Sequence, residues 1–422
     1  MKILFAIQYF YPTSNGGTER YVYDLAKELI ANGNEVAILK IGIEDDYYYE
    51  DLKVYVLPKG NFSRNLTERE NSILAMFKNI LEEFKPDLFH LNTLHEKLNA
   101  HFFKLAKKMG IPCAFTSHLA NTTCSTGELL LMGRQQCDGE FNLQRCFKCA
   151  LKTNNSPLSR ISELIIAADE HTDFFSKNSS ALMALHQTNY QINLLKEHAN
   201  LIFVQSEWQK NVLLLNNFNK SRLHLIRLGL EYNSTESHKS DESKDSVSFG
   251  FIARFSKNKG LKVLINALEK IKIRLNLFVC ISIDKKDISI FEKSISTIKL
   301  NHQINIIFNA NKSEVLKTLD CIDALIVPSL VVETGPYVVL ESLSRNTPVI
   351  GSNIGGIAET IIHRVNGLLF EMGNDDELTK SILDFIENPI RINCNDFPFE
   401  INSIKKYASE VEKKYKNELE FR

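Results

Sequence analysis

Short apolar or β-branched runs alternate along the chain with longer stretches in which apolar residues recur at helical spacing. Residues 3–7, 36–39, 54–57, 88–91, 113–116 and 201–204 read as strands, and residues 19–31, 70–84 and 97–109 as amphipathic helices between them. That alternation predicts an α/β fold, a parallel sheet covered by helices. From 232 to 247 the text turns polar and has almost nothing to bury, so it reads as a linker. A second alternating series follows at 247–252, 275–283, 304–308, 324–327, 348–351 and 368–370. The last stretch, 401–422, reads as a charged helix with Ile404, Tyr407, Val411 and Tyr415 on one side. The expected division is therefore 1–231, 232–400 and this closing helix. Ligands of such sheets sit outside the carboxyl ends of the strands, which points to a cleft between the halves.

Composition narrows the function classes. Fifty Lys and Arg against 51 Asp and Glu leave a formal charge of −1, too weak a field to hold a nucleic-acid backbone, so no nucleic-acid partner is expected. Hydrophobic residues at 44% against 24% charged exclude a disordered chain. No apolar run approaches the ~20 residues of a membrane span. Residues 1–7 are apolar, but Gln8 interrupts them and no small-residue cleavage site follows, which fits a buried first strand and a cytoplasmic protein. Lys97, Lys104, Lys107 and Lys108 read as the solvated face of a helix; peripheral contact with an anionic membrane at the inner face of the cell is the other reading.

Four segments carry candidate chemistry. After the first strand, Gly16 and Gly17 precede a helix start, where backbone can approach a ligand and free N–H groups favour a phosphate or a sugar hydroxyl; a plain flexible turn explains them equally. After the strand at 247–252, Arg254 and Lys259 can converge on one anion at the sheet edge, or stand as two solvated charges. The segment 327–343 holds Glu333, Gly335, Pro336, Tyr337, Val338 and Glu341. Pro336 suits a first helical turn, the N–H groups from Gly335 to Val338 would face an anionic or hydroxyl-rich ligand, and Glu341 suits a ribose diol. Gly355 and Gly356 supply a further turn beside it. No Asp-x-Asp pair is present to hold a catalytic metal; Asp138-Gly139-Glu140 is the nearest echo.

In order and spacing these motifs resemble the GT-B glycosyltransferases of family 4, the glycosyl transferases group 1. The resemblance rests on Gly16-Gly17 with Glu19, Arg254 with Lys259-Gly260, the Glu-x7-Glu pair Glu333 and Glu341, and Gly355-Gly356 with Glu359. It implies two Rossmann-like domains, the first on the acceptor side and the second binding the nucleotide sugar, with the final helix packing on both. Arg254 and Lys259 would bind the donor diphosphate and Glu341 the ribose. Glu333 and the backbone from Gly335 to Val338 would hold donor-sugar hydroxyls, and Gly16 and Gly17 would face the phosphate and acceptor. His118, after the strand at 113–116, would reach the donor sugar, although Leu119 stands where an acidic neighbour is usual. His90 and His95 are weaker candidates for the acceptor side. The implied activity is retaining transfer of a hexosyl group from a UDP- or GDP-type sugar to a glycan or lipid-linked glycan, in cell-surface polysaccharide synthesis. Catalysis would need no metal or other cofactor. The alternatives are a nucleotide-sugar epimerase of the same fold and a catalytically inactive glycosyltransferase-like scaffold.

Cys124, Cys137, Cys146 and Cys149 are separated by twelve, eight and two residues. Four thiolates in a reducing compartment suit a structural Zn²⁺ that fastens a long insert at 119–150 with little core of its own. Unligated thiols and an iron–sulfur cluster are the other readings. The resembling family carries similar cysteine-rich inserts just after this His.

Overall fold

The computed structural model describes residues 1–14, 16–58, 66–95, 97–118, 120–172, 179–231, 247–392 and 396–420. Apart from Val247, the polar linker lies outside the described residues, as does Leu119. The chain forms two units, one of Met1–Glu231 with Asn402–Arg422 and one of Tyr232–Ile401.

In the first unit the strands are β1 (Lys2–Ala6), β2 (Glu35–Gly42), β3 (Tyr47–Tyr49), β4 (Leu52–Pro58), β5 (Leu88–Leu91) and β6 (Cys113–Thr116). A two-stranded hairpin follows, β7 (Leu130–Leu131) with β8 (Gln135–Gln136), and then β9 (Leu201–Val204), β10 (Leu223–Leu225) and β11 (Gly229–Leu230). Eight of them form one sheet in the order β10-β9-β6-β5-β1-β2-β4-β3. Every pairing in it is parallel except the β3–β4 edge. β5, β6 and β9 are buried along their whole length, as strands covered on both faces must be, which is why they read as unbroken apolar runs.

The second unit has β12 (Ser248–Arg254), β13 (Asn276–Ser282), β14 (Gln303–Phe308), β15 (Ala324–Val327), β16 (Val349–Ser352) and β17 (Gly367–Phe370). They form a six-stranded sheet, β14-β13-β12-β15-β16-β17, and all pairings are parallel. Its core joins Phe249, Phe251 and Val279 of the sheet to Leu264, Leu268, Leu378, Ile382 and Phe385 of the covering helices.

The chain returns to the first unit through β18 (Asn402–Ser403), parallel to β11, and the helix Ile404–Glu420. Ile404, Tyr407, Val411 and Tyr415 recur at helical spacing and are buried. Burying such side chains stabilises by ~1.5–3 kcal/mol each. Polar contacts fix the register. Tyr407 Oη shares a hydrogen bond with Tyr21 Oη at 2.6 Å, and Tyr415 Oη one with His90 Nδ1 at 2.5 Å. The Glu412 carboxylate accepts from the side-chain amides of Asn32 and Asn34 at 2.8 and 3.1 Å.

One expectation needs correction. The insert is not a loop through residue 150: from Asn142, whose side chain caps it, the chain forms the helix Leu143–Thr153. Phe147 and Leu151 share one face and build a small core with Ile165, Ile166, Leu182 and Leu185 of two further helices. The sequence signal was there in the i, i+4 spacing, but Arg145, Lys148 and Lys152 dilute it.

The contact between Tyr415 and His90 makes a stability prediction. Tyr415→Phe keeps the ring and leaves a fully buried imidazole nitrogen without its partner, which should cost ~1–3 kcal/mol. A urea titration should show a lower midpoint at unchanged slope; an unchanged midpoint counts against the contact.

Candidate functional site

Both sheets place their loops of interest beyond the carboxyl ends of their strands. In the second unit, β12 ends at Arg254, which is exposed and whose side chain makes no ion pair or hydrogen bond among the described residues. The chain then makes a 3-10 turn, Lys257–Lys259, closed by Gly260 at φ +73°. A Cβ at Gly260 would lie 1.7 Å from the Pro328 carbonyl oxygen, so only glycine lets this turn press on the loop after β15. The Leu330 N–H donates to the Asn258 carbonyl at 2.8 Å and locks the two together.

That junction sets Lys259 against Glu333. The ammonium donates to Glu333 Oε1 at 2.8 Å, and the Ser329 hydroxyl donates to the same oxygen. From the other side, the Gly356 N–H donates to the Glu333 carbonyl at 2.7 Å. Here again the backbones touch: a Cβ on Gly356 would lie 2.7 Å from the Thr334 carbonyl oxygen. Gly335 and Pro336 follow, and Pro336 stands at the N-cap of the helix Tyr337–Ser344. Helix starts present backbone N–H groups along the axis toward an acceptor. Glu341, one turn in, is buried at 6% exposure.

Lys259, Glu333 and the Gly355-Gly356 turn are thus in one cluster, with Gly335, Pro336, Tyr337 and Val338 leading directly from it. Arg254 stands on the same sheet edge, in register with Ser282 of β13, but outside this set of contacts. Sequence reading missed Ser329, a serine among many with no motif to mark it.

In the first unit, Gly16 is the N-cap of the helix Gly17–Ala31, with φ −72° and ψ 179°, so no left-handed backbone requires glycine there. Ser14 Oγ donates to Glu19 Oε1 at 2.5 Å and braces the loop. The ammonium of Lys40, a residue 1% exposed, donates to Thr13 Oγ1 at 3.1 Å and to Glu44 Oε1 at 2.5 Å.

His118 follows β6. Gln205 donates to its Nδ1 at 3.0 Å, which leaves Nε2–H to donate to Asn92 Oδ1 at 3.3 Å. The Tyr21 ring meets the imidazole edge-on, with centroids 4.3 Å apart. Burial pushes His118 down to about 3, so the ring is neutral across the ordinary pH range. It serves as a neutral hydrogen-bonding group with a single proton, on Nε2. Asn92, Gln205 and Tyr21 were not legible as parts of a site, since each comes from a different strand or helix.

His90 does not belong on the acceptor side. It is fully buried in β5 between Tyr415 Oη and Thr116 Oγ1, the latter at 2.7 Å from Nε2, and desolvation holds it well below its ordinary pKa. His95 lies in the loop after β5, where its Nδ1 accepts from the Lys97 N–H at 3.3 Å. Among the described residues no helix is long and apolar enough to cross a membrane.

Two family profiles match the chain. The one described as Glycosyl transferases group 1 covers residues 233–398, and the one described as Glycosyltransferase Family 4 covers residues 15–134. An uncharacterised glycosyltransferase of Methanocaldococcus jannaschii is 31% identical over 147 residues, 35% of this chain and 40% of that protein. The amylovoran biosynthesis glycosyltransferase AmsK of Erwinia amylovora is 24% identical over 204 residues, 47% of this chain and 50% of that one. The chain thus spans half or less of the length of these curated relatives. Among solved structures, Anabaena HepE in complex with UDP and glucose superposes with a TM-score of 0.64 at 14% identity, over 99% of this chain and 100% of that one. That likeness is one of fold.

The neutral imidazole has a consequence for stability. A histidine near 3 in the folded chain and 6.5 in the unfolded chain binds its proton only on unfolding in between. Its contribution is complete above about pH 6.5 and falls by ~1.4 kcal/mol per pH unit below it. Urea midpoints taken from about pH 7 to about pH 5 should fall less steeply, by about one proton, in His118→Gln than in the wild type; parallel profiles would contradict the assignment.

Proposed function

The chain belongs to the family 4 glycosyltransferases of GT-B fold, and from that premise we propose that it transfers a hexosyl group from a UDP- or GDP-type sugar to a hydroxyl of a glycan or lipid-linked glycan. The observation that carries the reading is the contact of Lys259 with Glu333 inside the glycine-lined junction, with the Tyr337–Ser344 helix start directly after it. A diphosphate needs fixed positive charge and N–H donors, and a sugar needs a fixed acceptor for its hydroxyls; this cluster supplies both kinds side by side.

On this reading Arg254, Lys259 and the amides from Gly335 to Val338 bind the diphosphate and the sugar, and Glu341 takes the ribose hydroxyls. Glu333, held by Lys259 and Ser329, accepts from the donor sugar. The bond from the anomeric carbon to the diphosphate oxygen breaks, and the acceptor oxygen bonds to that carbon on the same face. The acceptor's proton passes to the departing phosphate oxygen, so configuration is retained and no protein base is required. His118, neutral and held by Gln205 at Nδ1, reaches a sugar hydroxyl by exchanging the long Nε2–H contact with Asn92 Oδ1 at 3.3 Å. Gly16 and Gly17, unencumbered by side chains, face the phosphate and the acceptor. With Arg254 and Lys259 neutralising the leaving group, the reaction calls for no catalytic Mg²⁺.

Support for a nucleotide-sugar donor comes from the UDP and glucose bound to HepE, and support for a role in cell-surface polysaccharide synthesis from the name of AmsK. Peripheral attachment at the cytoplasmic face would bring the enzyme to a lipid-linked acceptor.

Calorimetry with UDP, GDP, TDP and ADP should show one diphosphate binding, and a screen of the corresponding sugars should then identify the donor. Arg254→Ala should lower kcat/KM by ~10²–10³, the usual effect of removing one donor to developing charge. Near wild-type turnover in that variant, or no binding at about millimolar nucleotide, would overturn the proposal. Product formed from donor alone, as a free isomerised sugar nucleotide, would identify an epimerase instead.

A further inference from the structure

Cys124, Cys137, Cys146 and Cys149 lie in the cysteine-rich stretch, and all four line a single cavity of about 30 Å³. They reach it from three directions. Cys124 follows the 3-10 turn Ala120–Thr122, Cys137 follows β8, and Cys146 and Cys149 lie three apart on the helix Leu143–Thr153. Residues three apart share a helix face. All four are free thiols.

Two of the sulfurs already accept backbone hydrogen bonds. The Met132 N–H donates to Cys149 Sγ at 3.0 Å, and the Gly139 N–H to Cys137 Sγ at 3.4 Å. The same two sulfurs donate as thiols, Cys137 Sγ to Asp138 Oδ1 and Cys149 Sγ to Leu130 O, both at 3.6 Å, and would keep the N–H bonds as thiolates on a metal. Arg145 lines the same cavity, its guanidinium fixed by Asp138 Oδ2 at 2.8 Å and Oδ1 at 2.6 Å. A cation lies beside a cluster of potential thiolates. Thr123 also lines the cavity; it is 3% exposed, and its hydroxyl has no hydrogen-bond partner among the described residues. A buried polar atom without a partner is expensive to maintain unless the space beside it takes a polar occupant.

The segment also needs a cross-link. Between Ala120 and Asn142 the regular structure is one three-residue turn and two strands of two residues each. Leu129 and Leu130 are its buried large apolar residues. An irregular stretch with so little to bury gains most from a metal, whose binding free energy becomes folding free energy.

We propose that this cavity is a structural Zn²⁺ site, with Cys124, Cys137, Cys146 and Cys149 as four thiolate ligands that fasten the segment to the Leu143–Thr153 helix. Among the described residues no three His, Cys, Asp or Glu side chains stand close enough to hold a metal ion, so the cage must contract onto the cation when it binds. Ligand number favours one ion over an iron–sulfur cluster: four cysteines converge from three directions, the number a single tetrahedral Zn²⁺ takes. Four thiolates as ligands make a closed tetrahedral set of the structural kind, without an open position for catalysis. The four negative sulfurs exceed the charge of the ion by two; Arg145 beside them is already matched by Asp138, and Glu140 also lines the cavity. The site stands independently of the donor assignment.

The test uses the full-length, tag-free protein grown with zinc and purified without chelator. Elemental mass spectrometry should find about one zinc per chain. An organomercurial should release it, read with a zinc-sensitive dye, in step with modification of four thiols, a measurement that needs no variant. Alkylation mapped by mass spectrometry should spare the four cage cysteines until the zinc has been extracted. Cys146→Ser and Cys149→Ser should each carry far less than stoichiometric zinc, whereas Cys321→Ser, outside the cage, should keep it. Absence of stoichiometric metal, iron with visible absorption in place of zinc, prompt alkylation of all four thiols in zinc-replete protein, or full zinc retention in the cage variants would each overturn the proposal.

Discussion

The Glu333 carboxylate takes the Lys259 ammonium at 2.8 Å while the Glu333 carbonyl takes the Gly356 N–H at 2.7 Å, so loops leaving β12, β15 and β16 are tied through one residue. The tie requires bare backbone at its contact points. A side chain at Gly260 would meet the Pro328 carbonyl, and one at Gly356 the Thr334 carbonyl. The energetic value of the ion pair itself is modest. With Lys259 34% and Glu333 14% exposed, water still screens it, and pairs of this kind contribute on the order of 1 kcal/mol. Its larger effect is directional: an ammonium and a carboxylate that would otherwise sweep through many rotamers are held in one geometry before any ligand arrives.

Charge matching gives the two basic residues different roles on the proposed reading. Lys259 is already matched by Glu333, whereas Arg254 is exposed and has no anion among the described residues. An arriving diphosphate therefore meets one open guanidinium, whose planar fork suits two phosphate oxygens at once, and one ammonium whose position is set. The first unit shows the opposite economy. His118 and His90 are both kept neutral by burial, and their ring nitrogens are committed to Asn92, Gln205, Tyr415 and Thr116. Through Thr116, which also meets Tyr21 Oη at 3.3 Å, the network runs on to Tyr407. The returning helix is thereby joined by hydrogen bonds to the ring that packs on His118.

What could be read from the sequence follows from the range of each interaction. β5, β6, β9 and β15 stand out as unbroken apolar runs because both faces of a parallel sheet are covered, a property local to four or five residues. Gly260 was legible beside Lys259, and Gly356 as half of a glycine pair shortly after a strand. Ser329, Asn92 and Gln205 were not, since a polar side chain acquires its role only from a partner that the fold brings from elsewhere. His90 illustrates the converse error: beside His95 in a strand-end segment it looked like a site residue, and only the return of Tyr415, 325 positions later, shows it to be core. The 143–198 helices escaped notice for a third reason: their small core is shared among three helices, and two of them, Ser162–Thr172 and Ser180–His198, carry only weak apolar stripes.

One feature of both sheets explains why site residues cluster where they do. At several strand ends the first residue past the strand continues the ladder by one more bond. Asn92 N–H donates to Ala6 O at 2.8 Å, Ser117 N–H to Phe203 O at 3.0 Å, Phe255 N–H to Ser282 O at 2.8 Å and Asn353 N–H to Phe370 O at 2.7 Å. Each pinned residue is within two positions of a candidate: Asn92 itself holds His118, Ser117 precedes it, Phe255 follows Arg254, and Asn353 leads to Gly355. The exit direction of the loop is thus set by sheet hydrogen bonding, and only the residues beyond it are free to vary. A parallel sheet puts these exits on one edge in register, so chemistry written on separate loops is brought together by the ladder before any side-chain contact forms.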